Sequence, residues 1–159
     1  MYKRILVAID GSETSNVGLR HAIQLAKEHH AQLRLVNVVD DINLNIDAPG
    51  ELIEFQERLM KAGTALLQKA RKVAVKAALE PETKLLEILS LDQKVADVIV
   101  EEAKHWRADL VVIGTHGRRG LSRVFLGSVA EGVVRTSTTP VLLIRAVARI
   151  PRRPRSRPR

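Results

Sequence analysis

Leu110-Val-Val-Ile-Gly114-Thr-His-Gly117, followed nine residues later by Gly127-Ser128, is the stretch whose reading decides the fold. Four apolar residues without alternation mark a strand buried on both faces. The strand runs into glycines, and glycine lets backbone N–H groups turn toward an anion at close range. Ser128 then opens a segment with helical spacing (Leu126, Val129, Ala130, Val133). Its hydroxyl and the positive end of that helix would face the same spot. The stretch reads as strand, loop and helix around a phosphate site.

Working outward, the same alternation fills the chain. Ile5–Ile9 is a continuous apolar run stopped by Asp10-Gly11-Ser12, which supplies turn and cap chemistry. A helix follows with Leu19, Ala22, Ile23 and Ala26 on one face, then a second strand, Leu33–Val39. Residues 40–50 (Asp40, Asp41, Asn43, Asn45, Asp47, Pro49, Gly50) read as a polar loop, long for an α/β connection. Leu52, Phe55, Leu59, Ala62, Leu66, Ala70, Val73 and Ala77 recur at steps of three and four, predicting an amphipathic helix that Pro81 ends. Lys84–Leu91 is expected as a strand and Val95–Trp106 as a helix. The fourth strand is Asp109–Gly114, residues 126–137 form the fourth helix, and Pro140–Arg145 is the fifth strand.

Strict β-α alternation implies an α/β fold: a three-layer sandwich with a parallel sheet between helices. Such sheets bind ligands beyond the carboxyl ends of strands where the strand order reverses. In the order 3-2-1-4-5, Asp10 after strand one and the glycines after strand four face each other.

Composition bounds the remaining possibilities. Apolar residues make up 45% of 159, enough for a folded body, while aromatics at 3% leave few platforms for stacking nucleic-acid bases. The net charge of +8 is local. Of 26 basic residues, six arginines lie in 147–159 with no acid, and the other 20 face 18 acidic residues, leaving +2 for the body. With no cysteine, disulfides, thiol catalysis and cysteine metal sites are excluded. Lys3-Arg4 before Ile5–Ile9 imitates a signal peptide, but Asp10 ends the run short of the ~7–15 apolar residues a secretory core needs. A soluble, cytoplasmic protein is expected. Neither a Walker Gly-x4-Gly-Lys-[Ser/Thr] loop nor Gly-x-Gly-x-x-Gly after strand one occurs, and His29-His30 at a helix end are assigned no metal.

Four segments in order carry a family resemblance: Lys3–Ser12, Asn37-Val-Val-Asp40, Ala108–Gly117, and Leu126–Glu131 leading to Thr139–Arg145. Together with Gly-x2-Gly-x9-Gly-Ser they resemble the universal stress protein family, in its ATP-binding subclass. The resemblance covers residues 2–146 and implies a five-stranded, Rossmann-like fold of the adenine nucleotide α-hydrolase type. It also implies ATP, alone or with Mg2+. Asp10 would accept from the ribose hydroxyls and the backbone of Val38 would pair with the adenine edge, with Ala8 alongside. Gly114, Gly117, Gly127 and Ser128 would hold the phosphates, with Arg118 and Val129 also among the nucleotide-binding residues. A homodimer through the last strand, Val141–Ile144, is implied too, in keeping with the hazard of a bare apolar edge strand. One departure stands out: after strand three, Gln93-Lys94-Val95 replaces the family's frequent Gly-x-Pro turn.

Other readings of the same residues stay open. Asp10 with Gly11 and Ser12 fits a helix cap, and Ser128 with Glu131 fits a capping box that needs no ligand. Gly114 fits a plain strand-to-loop turn. His116 reads as a solvent-facing loop residue, and Arg118, Arg119 and Arg123 as either a phosphate clamp or a solvated face. No residue is identified that would orient an attacking water. The expectation is a nucleotide-responsive stress or regulatory factor with at most slow ATP hydrolysis. The alternatives are a nucleotide hydrolase or transferase, or a binder of nucleic acid or acidic partners through the tail. Residues 1–146 are expected as one domain and 147–159 as a basic, disordered Arg/Pro tail.

Overall fold

The computed structural model describes residues 1–40, 49–115 and 126–145. Nine elements alternate: β1 (Arg4–Ala8), α1 (Glu13–His29), β2 (Gln32–Val39), α2 (Pro49–Lys76), β3 (Glu82–Glu87), α3 (Val95–His105), β4 (Leu110–Gly114), α4 (Ser128–Thr136) and β5 (Val141–Ile144). All strand pairs are parallel, in the order β3-β2-β1-β4-β5 expected from the sequence.

Period-two geometry divides the apolar runs between two cores. Ile5 and Val7 of β1 and Ile9 just after it, with Leu33, Leu35 and Val112, pack under α1 and α2. Leu6, Val36, Val111 and Ile113 point to the opposite face, against Val98, Ile99 and Ala103 of α3 and Ala130 and Val133 of α4. The sheet is thus buried on both sides, which is why its central strands carry no polar alternation. Asp109 links the starts of β4 and β1, its Oδ2 accepting from the backbone N–H groups of Lys3 and Arg4 at 2.6 and 2.8 Å.

Four expectations are corrected. Pro49 and Gly50, read as loop, form the first turn of α2, where a missing proline N–H costs nothing. The inward face of α2 is rotated from the expected one: Gly63, Leu67, Ala70 and Ala74 are buried, whereas Ala62 and Val73 are exposed. The cause is Gly63, where a Cβ would lie 2.6 Å from both Asn37 Oδ1 and Leu85 Cδ1. The helix is terminated by Ala78, at φ 62°, with Leu79 N–H returning to the Ala74 carbonyl at 3.1 Å, not by Pro81. Finally, β3 stops at Glu87, leaving Leu89 and Leu91 on the following turn 83% and 80% exposed.

An internal ion network lies on the α3 side. Glu102, 5% exposed, accepts from Arg34 Nη1 at 2.5 Å and Lys84 Nζ at 2.6 Å. Arg34 also pairs with Glu82 and lies 4.6 Å over the Trp106 ring. Two cations and two carboxylates cancel, which makes burying Glu102 tolerable.

Candidate functional site

The chain leaves β1 under tight local control. Ile9 N–H makes the last ladder bond to the Val36 carbonyl at 2.8 Å. Asn37, buried inside β2, donates from Nδ2 to the Ile9 carbonyl at 2.7 Å. Asp10 follows, half-buried, and its Oδ1 accepts from Ser12 N–H at 2.8 Å. Gly11 completes the turn at φ 81°, a conformation that favours glycine, and a Cβ there would meet Leu66 Cδ2 at 2.9 Å.

The N-cap of α1 is Ser12, whose Oγ accepts from Ser15 N–H at 3.2 Å. Ser15 Oγ in turn accepts from Asp10 N–H at 3.2 Å and donates to the Ala8 carbonyl at 3.4 Å. Asp10 therefore braces the turn before the cap without being the cap, and one of its oxygens is already committed to Ser12.

The end of β4 abuts this turn. Gly114 has no room for a side chain, because a Cβ would lie 2.4 Å from Thr14 Oγ1 and 3.1 Å from Ser15 N. Its glycine is needed for close packing on α1, which goes beyond a strand-to-loop turn. Thr115 is buried; its N–H bonds the Ile144 carbonyl, and its carbonyl accepts from Gly127 N–H at 2.8 Å. That last bond brings the start of α4 back to the end of β4.

The N-cap of α4 is Gly127, at φ −64° and ψ 149°, with no side-chain cap. Ser128 is the first helical residue, so the Ser128–Glu131 capping box expected from the sequence does not form. The first turn closes through Glu131 N–H to the Gly127 carbonyl at 2.9 Å, leaving the amides of Ser128, Val129 and Ala130 without an intrahelical acceptor. Ser128 is exposed and Val129 half-buried.

Val38 lies on β2 beyond the point where β1 stops pairing, at Ala8 opposite Val36. Since the Val36 carbonyl faces β1, strand alternation turns the N–H and C=O of Val38 to the same side, past the end of β1. Ala8, Asp10, Val38, Gly114, Gly127, Ser128 and Val129 thus gather at the carboxyl edge of the sheet. Gly117 and Arg118 lie outside the described residues, as do His116, Arg119, Arg123, most of the 40–50 loop and the arginine tail. Thr14, Ser15 and Asn37, all buried at this edge, were not singled out from the sequence. The signal for Asn37 was an amide side chain inside an otherwise apolar run. Among the described residues no cluster of His, Asp and Glu is suited to a metal ion, and no helix is long and apolar enough to cross a membrane.

A parallel sheet whose order reverses beside β1, with the start of α4 brought to the end of β4, defines an open α/β protein of the kind whose ligand crevice lies at the carboxyl edge of the strands. The sequence model of the universal stress protein family matches residues 1–145. A universal stress protein of Methanocaldococcus jannaschii is 38% identical over 148 residues, covering 91% of this chain and 83% of that protein. The chain belongs to the universal stress protein family. Among solved structures, a universal stress protein from Archaeoglobus fulgidus in complex with dAMP is 26% identical with a TM-score of 0.62, covering 90% of this chain and 98% of the other. Another universal stress protein, in complex with cAMP, is 28% identical with a TM-score of 0.66 and corresponding coverages of 89% and 96%.

Proposed function

We propose that this universal stress protein binds an adenine nucleotide, ATP foremost, across the crevice between Asp10 and the start of α4. One observation carries the reading. At Gly127 the backbone angles suit any residue, yet the position holds glycine, which has no side chain with which to cap the helix. The amides of Ser128, Val129 and Ala130 have no acceptor within the helix, and a phosphate oxygen is the acceptor such a helix end favours. The dAMP and cAMP complexes of related proteins support the same ligand class.

In this reading Asp10 accepts from ribose hydroxyls and the Val38 backbone, with Ala8 beside it, meets the adenine edge. Gly114, Gly117, Arg118, Gly127, Ser128 and Val129 surround the phosphates, with Mg2+ accompanying a triphosphate. Residues 1–146 act as the nucleotide-binding body and 147–159 as a separate basic tail. Nucleotide binding orders the segments flanking the crevice and changes a surface that a partner reads. Hydrolysis is slow, because no residue is identified that would orient water at the γ-phosphate.

Self-pairing through β5 completes the proposal. Val141, Leu142 and Leu143 are only half-buried. The carbonyls of Pro140 and Ile144 face β4, so alternation directs the backbone groups of Val141 and Leu143 away from it, along the sheet edge.

Denaturing the purified protein and identifying the released small molecules tests the ligand class, with an adenine nucleotide expected. Sizing at micromolar concentration is expected to give a dimer; a monomer alone refutes the edge pairing. Steady phosphate release above about 1 s⁻¹ would place the protein among ordinary enzymes and overturn the regulatory reading.

A further inference from the structure

We propose that Asn37 is a positioning residue for the nucleotide site, coupling its ribose side to its base side; the inference rests on the nucleotide reading above. Asn37 is 8% exposed and sits in β2 immediately before Val38. Its Nδ2 donates to the Ile9 carbonyl at 2.7 Å, the last backbone group before Asp10. Its Oδ1 is held against α2, where only a glycine fits: a Cβ on Gly63 would be 2.6 Å away. One side chain therefore touches the point where β1 leaves the sheet, the strand that carries Val38, and the helix that covers both.

The consequence is geometric. β1 and β2 are joined by ladder bonds only as far as Ile9 N–H to the Val36 carbonyl. Beyond it, the Asn37 amide supplies the next link, at the step where the chain turns from strand to the Asp10–Gly11 turn. A carbonyl at this depth needs a donor, and an unmet one is costly. Without the amide, the Ile9–Asp10 peptide is held only on its N–H side, by the 3.2 Å bond to Ser15 Oγ, and its tilt carries the Asp10 carboxylate with it. A ribose acceptor displaced by a fraction of an ångström relative to Val38 no longer fits a nucleotide whose base and sugar are rigidly joined.

The test compares two variants of similar side-chain volume in the full-length protein, with ATP as probe. Asn37→Asp places an acceptor against the Ile9 carbonyl at pH 8 and a donor once the new carboxyl is protonated; Asn37→Leu offers no donor at any pH. Titrations are made on protein whose circular dichroism and cooperative melting show it folded, and each affinity is taken relative to wild type at the same pH. Both variants are expected to bind about tenfold more weakly at pH 8. As the pH falls from 8 to about 4, into the ordinary carboxyl range that burial only raises, Asn37→Asp returns toward wild type while Asn37→Leu does not, a divergence that loss of packing alone does not produce. Gly63→Ala, which pushes on the Asn37 amide from α2, is expected to weaken binding as well, and it serves if the first pair fails to fold. Wild-type affinity in Asn37→Asp at pH 8, or identical pH behaviour of the two variants, overturns the role of Asn37. A wild type that ignores every adenine nucleotide overturns this inference together with the reading beneath it.

Discussion

Two helices begin at the carboxyl edge of the sheet, one on each face, and their N-termini are finished in different ways. α1 is sealed by its own chain: Asp10 holds Ser12, Ser12 caps Ser15, and Ser15 reaches back to Asp10 and Ala8. α4 starts at a glycine that offers no side-chain cap. Each peptide dipole array presents the same partial positive charge at its start. At α1 that charge is spent on rigidity, which fixes the Asp10 carboxylate. At α4 the N-cap residue has no side chain to meet it. The contrast separates a helix end capped by its own side chains from one that is not, and the proposed nucleotide site puts its phosphates at the second.

The comparison breaks most visibly where the end of β4 meets the start of α1. Gly114→Val drives a side chain into Thr14 and the backbone of Ser15. A loss of about 2–3 kcal/mol is expected, seen as a Tm lower by about 5–10 °C in thermal denaturation, together with loss of nucleotide binding. Unchanged melting would mean that α1 and β4 are not packed as described.

Removing the carboxylate sharpens the division of labour. Asp10→Ala is expected to weaken ATP affinity about tenfold in calorimetric titration, as loss of a charged hydrogen-bond acceptor does. Its stability cost should be smaller, because Ser12 still caps the helix. Ser12→Ala gives the opposite balance: about 1 kcal/mol lost in denaturant unfolding, with ATP affinity within about threefold of wild type. If Ser12→Ala abolished binding instead, α1 would be a ligand-contacting end and the contrast with α4 would fail.

The smallest expected effect concerns the edge strand. Leu143→Pro removes an N–H that points away from β4, so the sheet's own ladder is kept. Dimer dissociation by sizing, with melting lowered only slightly, is the expected result; an unaltered dimer would place the interface elsewhere.

Much of this was legible in the sequence because parallel sheets buried on both faces write themselves as unbroken apolar runs. Ile5–Ile9 and Leu110–Ile113 needed no further information, and turn residues bounded them. The errors arise where burial and apolarity part company. Gly63 carries no hydrophobic signal, yet it makes the closest approach of α2 to the sheet and sets the rotation of that helix. Leu89 and Leu91 carry a strong one and are solvent-exposed, since β3 ends before them. Glu102 reads as a surface residue of α3, and only the fold brings Arg34 and Lys84 from two strands to neutralise it. At the site, the spacing of the glycines was visible but their separate duties were not. Gly114 makes room for Thr14, whereas Gly127 leaves amides uncapped, a distinction that depends on which atoms lie opposite. Asn37 escaped notice because its value comes from the carbonyl it meets on a strand 28 positions away.

The most direct measurement is a titration of wild type and Gly127→Asp with ATP, paired with their unfolding curves. A carboxylate at the N-cap of α4 would occupy the open amides as α1's own side chains do at theirs. Stability should then rise by a few tenths of a kcal/mol, about what capping adds over glycine, while ATP binding falls by more than about tenfold. If the variant is more stable and still binds ATP as wild type does, the uncapped end of α4 is not where the anion sits.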